Sequence, residues 1–198
     1  RGPSDKGVGS AGWYNNIAFR EEAEKAGYIA KNFVGDAFSD ELRTQVTDYI
    51  RDEFGGKVDL VIYSLATGVR PDPKTGELIR SSLKTIGEPY TGFMVNIENE
   101  CLDELTIQPA TEDEIEATVK VMGGEDWEMW IDALSSAGVL SEDCKTVAYT
   151  YIGDKLTKPI YGHATIGKAK EDLDRASSAL NATNLFHSLY NIRQSILL

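Results

Sequence analysis

Apolar positions along this chain follow two periods, one helical and one extended, and the switches between them lay out the elements. Ser39 is a residue type that caps helices. Behind it Leu42, Val46, Tyr49 and Ile50 share one face at helical spacing until Gly55-Gly56 ends the segment. The run from Val58 to Ala66 is almost continuously apolar and rich in branched residues, which predicts a strand buried on both faces of a parallel sheet. Tyr28 to Val34 predicts a shorter strand before the helix. Strand, helix and strand in that order make a right-handed βαβ unit, the building block of dinucleotide-binding folds.

The same reading extends to both sides. Residues 1–12 form a glycine-punctuated loop, and Trp13 to Ala26 reads as a helix with Glu21, Glu22 and Glu24 outward. Residues 67–110 break the pattern with Pro71, Pro73, Gly76, Gly87, Pro89 and Gly92. They predict an excursion of one or two hairpins over the C-terminal edge of the sheet, where loops carry substrate contacts. Thr111-Glu112-Asp113-Glu114 is a capping box, continued inward by Ile115, Val119 and Met122. Trp127, Trp130, Ile131 and Leu134 give an amphipathic helix stopped by Gly138, with the tryptophans read as core. Thr146 to Ile152 is the next strand. Ala169, Leu173, Ala176 and Leu180 form a last helical stripe, and residues 184–198 carry no clear pattern.

Composition narrows the class without choosing a chemistry. A chain of 198 residues, 41% hydrophobic and 26% charged, is one globular domain of ordinary size. Its net charge of −12 repels phosphate backbones and argues against nucleic acid as a partner. Two distant cysteines, Cys101 and Cys144, point to a reducing compartment, and two histidines make a zinc site a poor expectation. No apolar run approaches the roughly 20 residues that span a bilayer. A cytoplasmic monomer is the simplest expectation, with an organelle as the eukaryotic variant.

Tyr161 and Lys170 are the pair of chemical interest. On one continuous helix, nine steps of about 100° would put them on opposite faces, roughly 13 Å apart along the axis. Cooperation therefore requires a break between them, and Gly162 and Gly167 are the candidates to supply it. A phenol can hydrogen-bond and protonate an oxygen on which negative charge develops, and a nearby ammonium favours the phenolate. Taken alone, the pair is matched by a plainer alternative, a half-buried tyrosine and a solvated lysine.

The surrounding residues tip that balance. Tyr149-Thr-Tyr-Ile-Gly, Leu156-Thr157, Pro159-Ile160-Tyr161, Thr165-Ile166-Gly167 and Lys170 resemble the active-site segment of FabV-type trans-2-enoyl-CoA reductases, whose signature is Tyr, eight residues, then Lys. Ala11 to Asn15, Gly35-Asp36-Ala37-Phe38, Val58 to Ser64, Ile86 to Thr91 and Thr118 to Trp127 resemble the same family, in order. The resemblance implies an α/β fold: a Rossmann-like doubly wound parallel sheet, incomplete at both ends, with residues 1–183 a partial reductase domain and 184–198 a divergent tail. It implies NADH as cofactor and an enoyl-CoA or enoyl-ACP thioester as substrate. Tyr161 would then donate the proton and Lys170 bind the cofactor. Tyr151 would touch the acyl thioester, Asp36 and Ala37 would lie against the adenine end, and Leu65 and Ala66 would face the ribose and nicotinamide side. The sequence departs from the family in three places. Its one G-x-G-x-x-G string, Gly7 to Gly12, stands in the opening loop with no predicted strand before it and so does not read as a phosphate loop, its tail differs from the family's continuation, and Lys158 and Gly162 stand where many relatives carry Trp. A carbonyl reductase of the short-chain dehydrogenase type, and an inactive binding module, are the alternatives.

Overall fold

A computed structural model describes residues 2–65, 67–151, 155, 157–183 and 192–194. In chain order these form α1 (Ala11–Lys25), α2 (Asp40–Glu53), β1 (Val58–Tyr63), β2 (Val69–Pro71), β3 (Leu78–Arg80), β4 (Tyr90–Asn96) and β5 (Cys101–Ile107). They continue with α3 (Glu112–Met122), α4 (Glu125–Ser136), β6 (Leu140–Tyr151), α5 (Thr165–Ala182) and β7 (Ile192–Gln194).

The helix ends obey the capping chemistry expected of them. The Ser39 hydroxyl accepts from the Leu42 amide, and Thr111 and Glu114 form a complete capping box. Gly138 ends α4 with φ at +69°, a conformation that side chains with a Cβ resist. The chain then turns directly into β6.

A parallel sheet runs in the order β1-β6-β7. Helices α4 and α5 pack on it. Trp127, Ile131 and Leu134 from α4 meet Leu173, Ala176 and Leu180 from α5 over Val139, Cys144 and Ala148. The Trp127 ring is fully buried, and its Nε1–H donates to Thr146 Oγ1 on β6 at 2.8 Å, which satisfies the indole's one polar atom. The excursion forms two antiparallel hairpins, β2–β3 and β4–β5.

Several expectations are corrected. Tyr28 to Val34 is not a strand: it has no ladder partner among the described residues, and Ile29 and Val34 stand 58% and 85% exposed. β1 is not buried on both faces. Val58, Val61 and Tyr63 pack against the core, whereas Leu60 and Ile62 are each 53% exposed, because the described chain covers only the first set. β6 begins six residues earlier than its apolar pattern, since Ser141 to Lys145, polar apart from the buried Cys144, extend the strand after the Gly138 turn. Within the patternless tail, 192–194 adds a short parallel strand to β6.

Candidate functional site

The parallel strands β1 and β6 end on the same side of the sheet, with Tyr63 opposite Ala148. In open α/β sheets that edge is where ligands bind. Leu65 follows β1 there, and Tyr151 is the last residue of β6. Ala66 and the side chain of Tyr151 lie outside the described residues.

Asp36 and Ala37 sit in the turn that leads into α2. The Asp36 carboxylate accepts from the Phe38 amide at 3.0 Å, and its carbonyl accepts from the Ser39 hydroxyl at 2.8 Å. Asp36 is therefore a turn-former, as its position suggested, and its side chain is exposed. Ala37 faces a groove of about 370 Å³ shared with Tyr63, Ser64, Leu65 and Trp130. The structure thus brings two predicted cofactor contacts, Ala37 and Leu65, to one concave surface that runs along β1 from Val58 to Leu65.

Tyr161 and Lys170 are separated by a real break in the helix. Residues 157–163 form successive turns in which the Tyr161 amide donates to the Thr157 carbonyl at 2.9 Å. Ala164 is extended, with φ −121° and ψ −171°, and α5 starts at Thr165. Lys170 lies in the second turn of α5, half-buried, and burial pushes its ammonium below the usual lysine pKa. The glycines act differently from expectation. Gly167 is inside the helix, and a Cβ there would meet the Gly162 carbonyl oxygen at 2.1 Å. Its role is to let the Tyr161 loop lie flat on the first turn of α5.

The excursion holds that loop in place. The Thr165 amide donates to the Lys84 carbonyl at 3.0 Å, and its hydroxyl donates to the Ser82 carbonyl at 2.5 Å. Ser82 is tied in turn to Thr118 on α3, whose hydroxyl accepts from its amide at 3.0 Å. Thr85 pairs with Ala164 across a single antiparallel bridge. The start of α5 is therefore set by contacts some 80 residues upstream in sequence, a coupling that helical periodicity could not reveal.

Sequence reasoning also missed a buried charged cluster behind the Ala37 turn. Arg43 of α2 and Arg70 of β2 are both nearly fully buried. Arg43 donates to the buried carboxylate of Asp126 at 2.5 Å, and Arg70 donates to Glu125 at 2.9 Å and to the Lys120 carbonyl at 2.7 Å. Tyr63 donates its hydroxyl to Asp126 at 3.1 Å. Burial pushes the Asp126 carboxyl up against the pull of both arginines. Burial, with Asp126 beside it, also pushes the Tyr63 phenol far up. Arginines on amphipathic segments read as solvated, so no signal in the sequence marks these two as core residues.

Residues 7–190 match the family model described as the trans-2-enoyl-CoA reductase catalytic region. The chain is 64% identical over 181 residues to an enoyl-acyl-carrier-protein reductase (NADH) 2 of Photobacterium profundum, covering 91% of this chain and 45% of that protein. It is 59% identical over 178 residues to the enoyl-acyl-carrier-protein reductase (NADH) of Saccharophagus degradans, covering 90% and 45%. Among solved structures, the Treponema denticola trans-2-enoyl-CoA reductase in complex with NAD superposes with a TM-score of 0.92 at 44% identity, covering all of this chain and 49% of that one. The chain thus spans about half the length of the relatives it matches. On the extent of the family match, the chain belongs to the trans-2-enoyl-CoA reductase family.

Proposed function

We propose that the protein to which this chain belongs reduces the trans-2 double bond of enoyl-CoA or enoyl-ACP thioesters, with NADH as the reductant, in fatty acid synthesis. The observation that carries the reading is the extended Ala164 between the Tyr161 turn and α5. It removes the helical continuity that would throw the phenol and the ammonium to opposite sides.

The residues present fit part of a dinucleotide. Ala37 and Leu65 offer apolar walls on one groove, and Lys170 offers a partly dehydrated cation that can donate to ribose hydroxyls. The glycine string Gly7 to Gly12 opens α1 with no strand before it among the described residues, which is not the strand-to-helix cradle of a pyrophosphate, so these residues account for the two ends of the cofactor and not its middle. NADH, when bound, supplies the hydride. Tyr161 hydrogen-bonds the thioester oxygen and delivers a proton as charge develops there. Lys170 steadies the phenolate left behind, and Tyr151 orients the thioester. Asp36 and Ala66 complete the adenine and nicotinamide sides. The reaction takes place in the cytoplasm on a monomer. Among the described residues, no helix is long and apolar enough to cross a membrane.

The test is Tyr161→Phe in the protein at the length of its relatives, assayed with an enoyl thioester and, separately, with a ketone. Turnover of the thioester should fall by about 10²–10⁴-fold, the range for loss of a positioned acid. NADH affinity should stay within about twofold, since the variant keeps the ring. Retained turnover, or faster reduction of the ketone than of the thioester by the parent protein, would overturn the proposal.

A further inference from the structure

The buried cluster of Arg43, Arg70 and Asp126 has no part in the chemistry just described, yet it lies directly against the turn proposed to meet the adenine end of NADH. Trp130 connects the two. Its Nε1–H donates to the Ala37 carbonyl at 3.0 Å, and the Arg43 guanidinium stands over its ring, 5.7 Å from the centroid. Arg70 makes the second connection, with its guanidinium 5.6 Å from the centroid of the Phe38 ring. Arg43 and Arg70 both lean on Asp126, at 2.5 and 4.0 Å, so one carboxylate from α4 fixes the heading of both guanidiniums. The far ends of the arginines are anchored too, by Asp40 at 2.6 Å for Arg43 and by Glu125 for Arg70.

The cost of this arrangement argues for a role. Two buried guanidiniums and a carboxylate stabilise a fold weakly at best, because desolvation offsets most of their attraction. Arg43 Nε and Arg70 Nε also have no hydrogen-bond partner among the described residues. The gain lies in direction. Planar guanidiniums stack on rings and hold them in orientation, which apolar residues of the same volume would not do. The rings so held belong to Trp130, which grips the backbone of Ala37, and to Phe38, its neighbour in sequence.

We infer that Trp130 and Arg70, set by Asp126, are positioning residues that fix the Ala37–Phe38 turn for the adenosine half of the dinucleotide. This inference rests on the proposed assignment of Asp36 and Ala37 to the adenine end. It makes the cluster a determinant of which cofactor binds and how tightly, with no direct part in hydride or proton transfer. A cofactor lacking adenosine should be indifferent to it.

The experiment uses the protein at the length of its relatives and two reductants, NADH and reduced nicotinamide mononucleotide, which has no adenosine. Trp130→Phe removes the one N–H and keeps a ring beneath Arg43, and Phe38→Leu removes the ring beneath Arg70 without leaving a buried charge unpaired. Ala37→Val crowds the groove itself. Each positioning variant should raise KM for NADH by about two- to tenfold, the worth of one hydrogen bond or stacking contact, with kcat unchanged. The rate with the mononucleotide should stay as in the parent. Equal loss with both reductants would mean a merely structural role and overturn the inference. If Ala37→Val raises KM for NADH while Trp130→Phe and Phe38→Leu do not, the inference fails and the adenine-end assignment stands. If none of the three moves KM for NADH, the assignment itself fails and takes the inference with it.

Discussion

Lys170 combines a charge with a half-buried site, and the two are in tension. Burial disfavours the ammonium in the native state, so the native pKa lies below the ordinary lysine value of 10.5. Below both values the ammonium is present in both states and its desolvation cost is borne in full. Between them the unfolded chain binds more protons than the native one, so stability attributable to this group rises with pH across that window. Lys170→Met should therefore raise the Tm near neutral pH, and the advantage should shrink as pH climbs toward 10.5. Paired thermal melts at several pH values check it, and an advantage that does not change with pH would contradict it. The same substitution should weaken NADH binding. Single residues of this kind were partly legible. Ser39 and Thr111 announce their caps because capping is local chemistry. Arg43 and Arg70 do not announce their burial, because what makes it tolerable is a carboxylate on a distant helix.

Elements were legible where their own period decided them and illegible where a neighbour did. The stripe Ala169, Leu173, Ala176 and Leu180 is buried along α5 as its spacing implies. Tyr28 to Val34 has the composition of a strand, yet a strand requires a ladder partner, and none is present among the described residues. The break before α5 was foreseen, though its agent was not: the extended residue is Ala164, pinned by the segment 82–85. Gly167 serves close packing, and this gives a sharp expectation. Gly167→Ala puts a methyl group into the Gly162 carbonyl, which is backbone and cannot swing aside. The Tyr161 loop must lift, at about 1–3 kcal/mol by analogy with overpacked cores. In the protein at the length of its relatives, kcat should fall more steeply than NADH affinity. Steady-state kinetics with a thermal melt would show it, and unchanged kcat would count against the close approach.

For the molecule as a whole, the decisive property is what the described residues leave uncovered. Leu60, Ile62 and Leu65 are exposed on or beside β1, and the outer edge of β1 has no ladder partner among the described residues. The one G-x-G-x-x-G string, Gly7 to Gly12, also has no strand before it among the described residues to make it a grip for the middle of a dinucleotide. Expressed by itself, this chain should bind NADH with a Kd well above micromolar and reduce crotonyl-CoA slowly or not at all. Fluorescence titration of NADH into the purified chain checks the first point, and micromolar affinity would refute it. The hairpin β4–β5 has a different bearing. Its two ends meet at one place, where Thr85 pairs with Pro109 and accepts from the Ala110 amide at 2.8 Å. A segment that departs and returns through a single doorway can be swapped as a cassette. Residues 86–109 are thus a natural unit for transplanting between relatives to ask which part of the chain chooses the acyl tail.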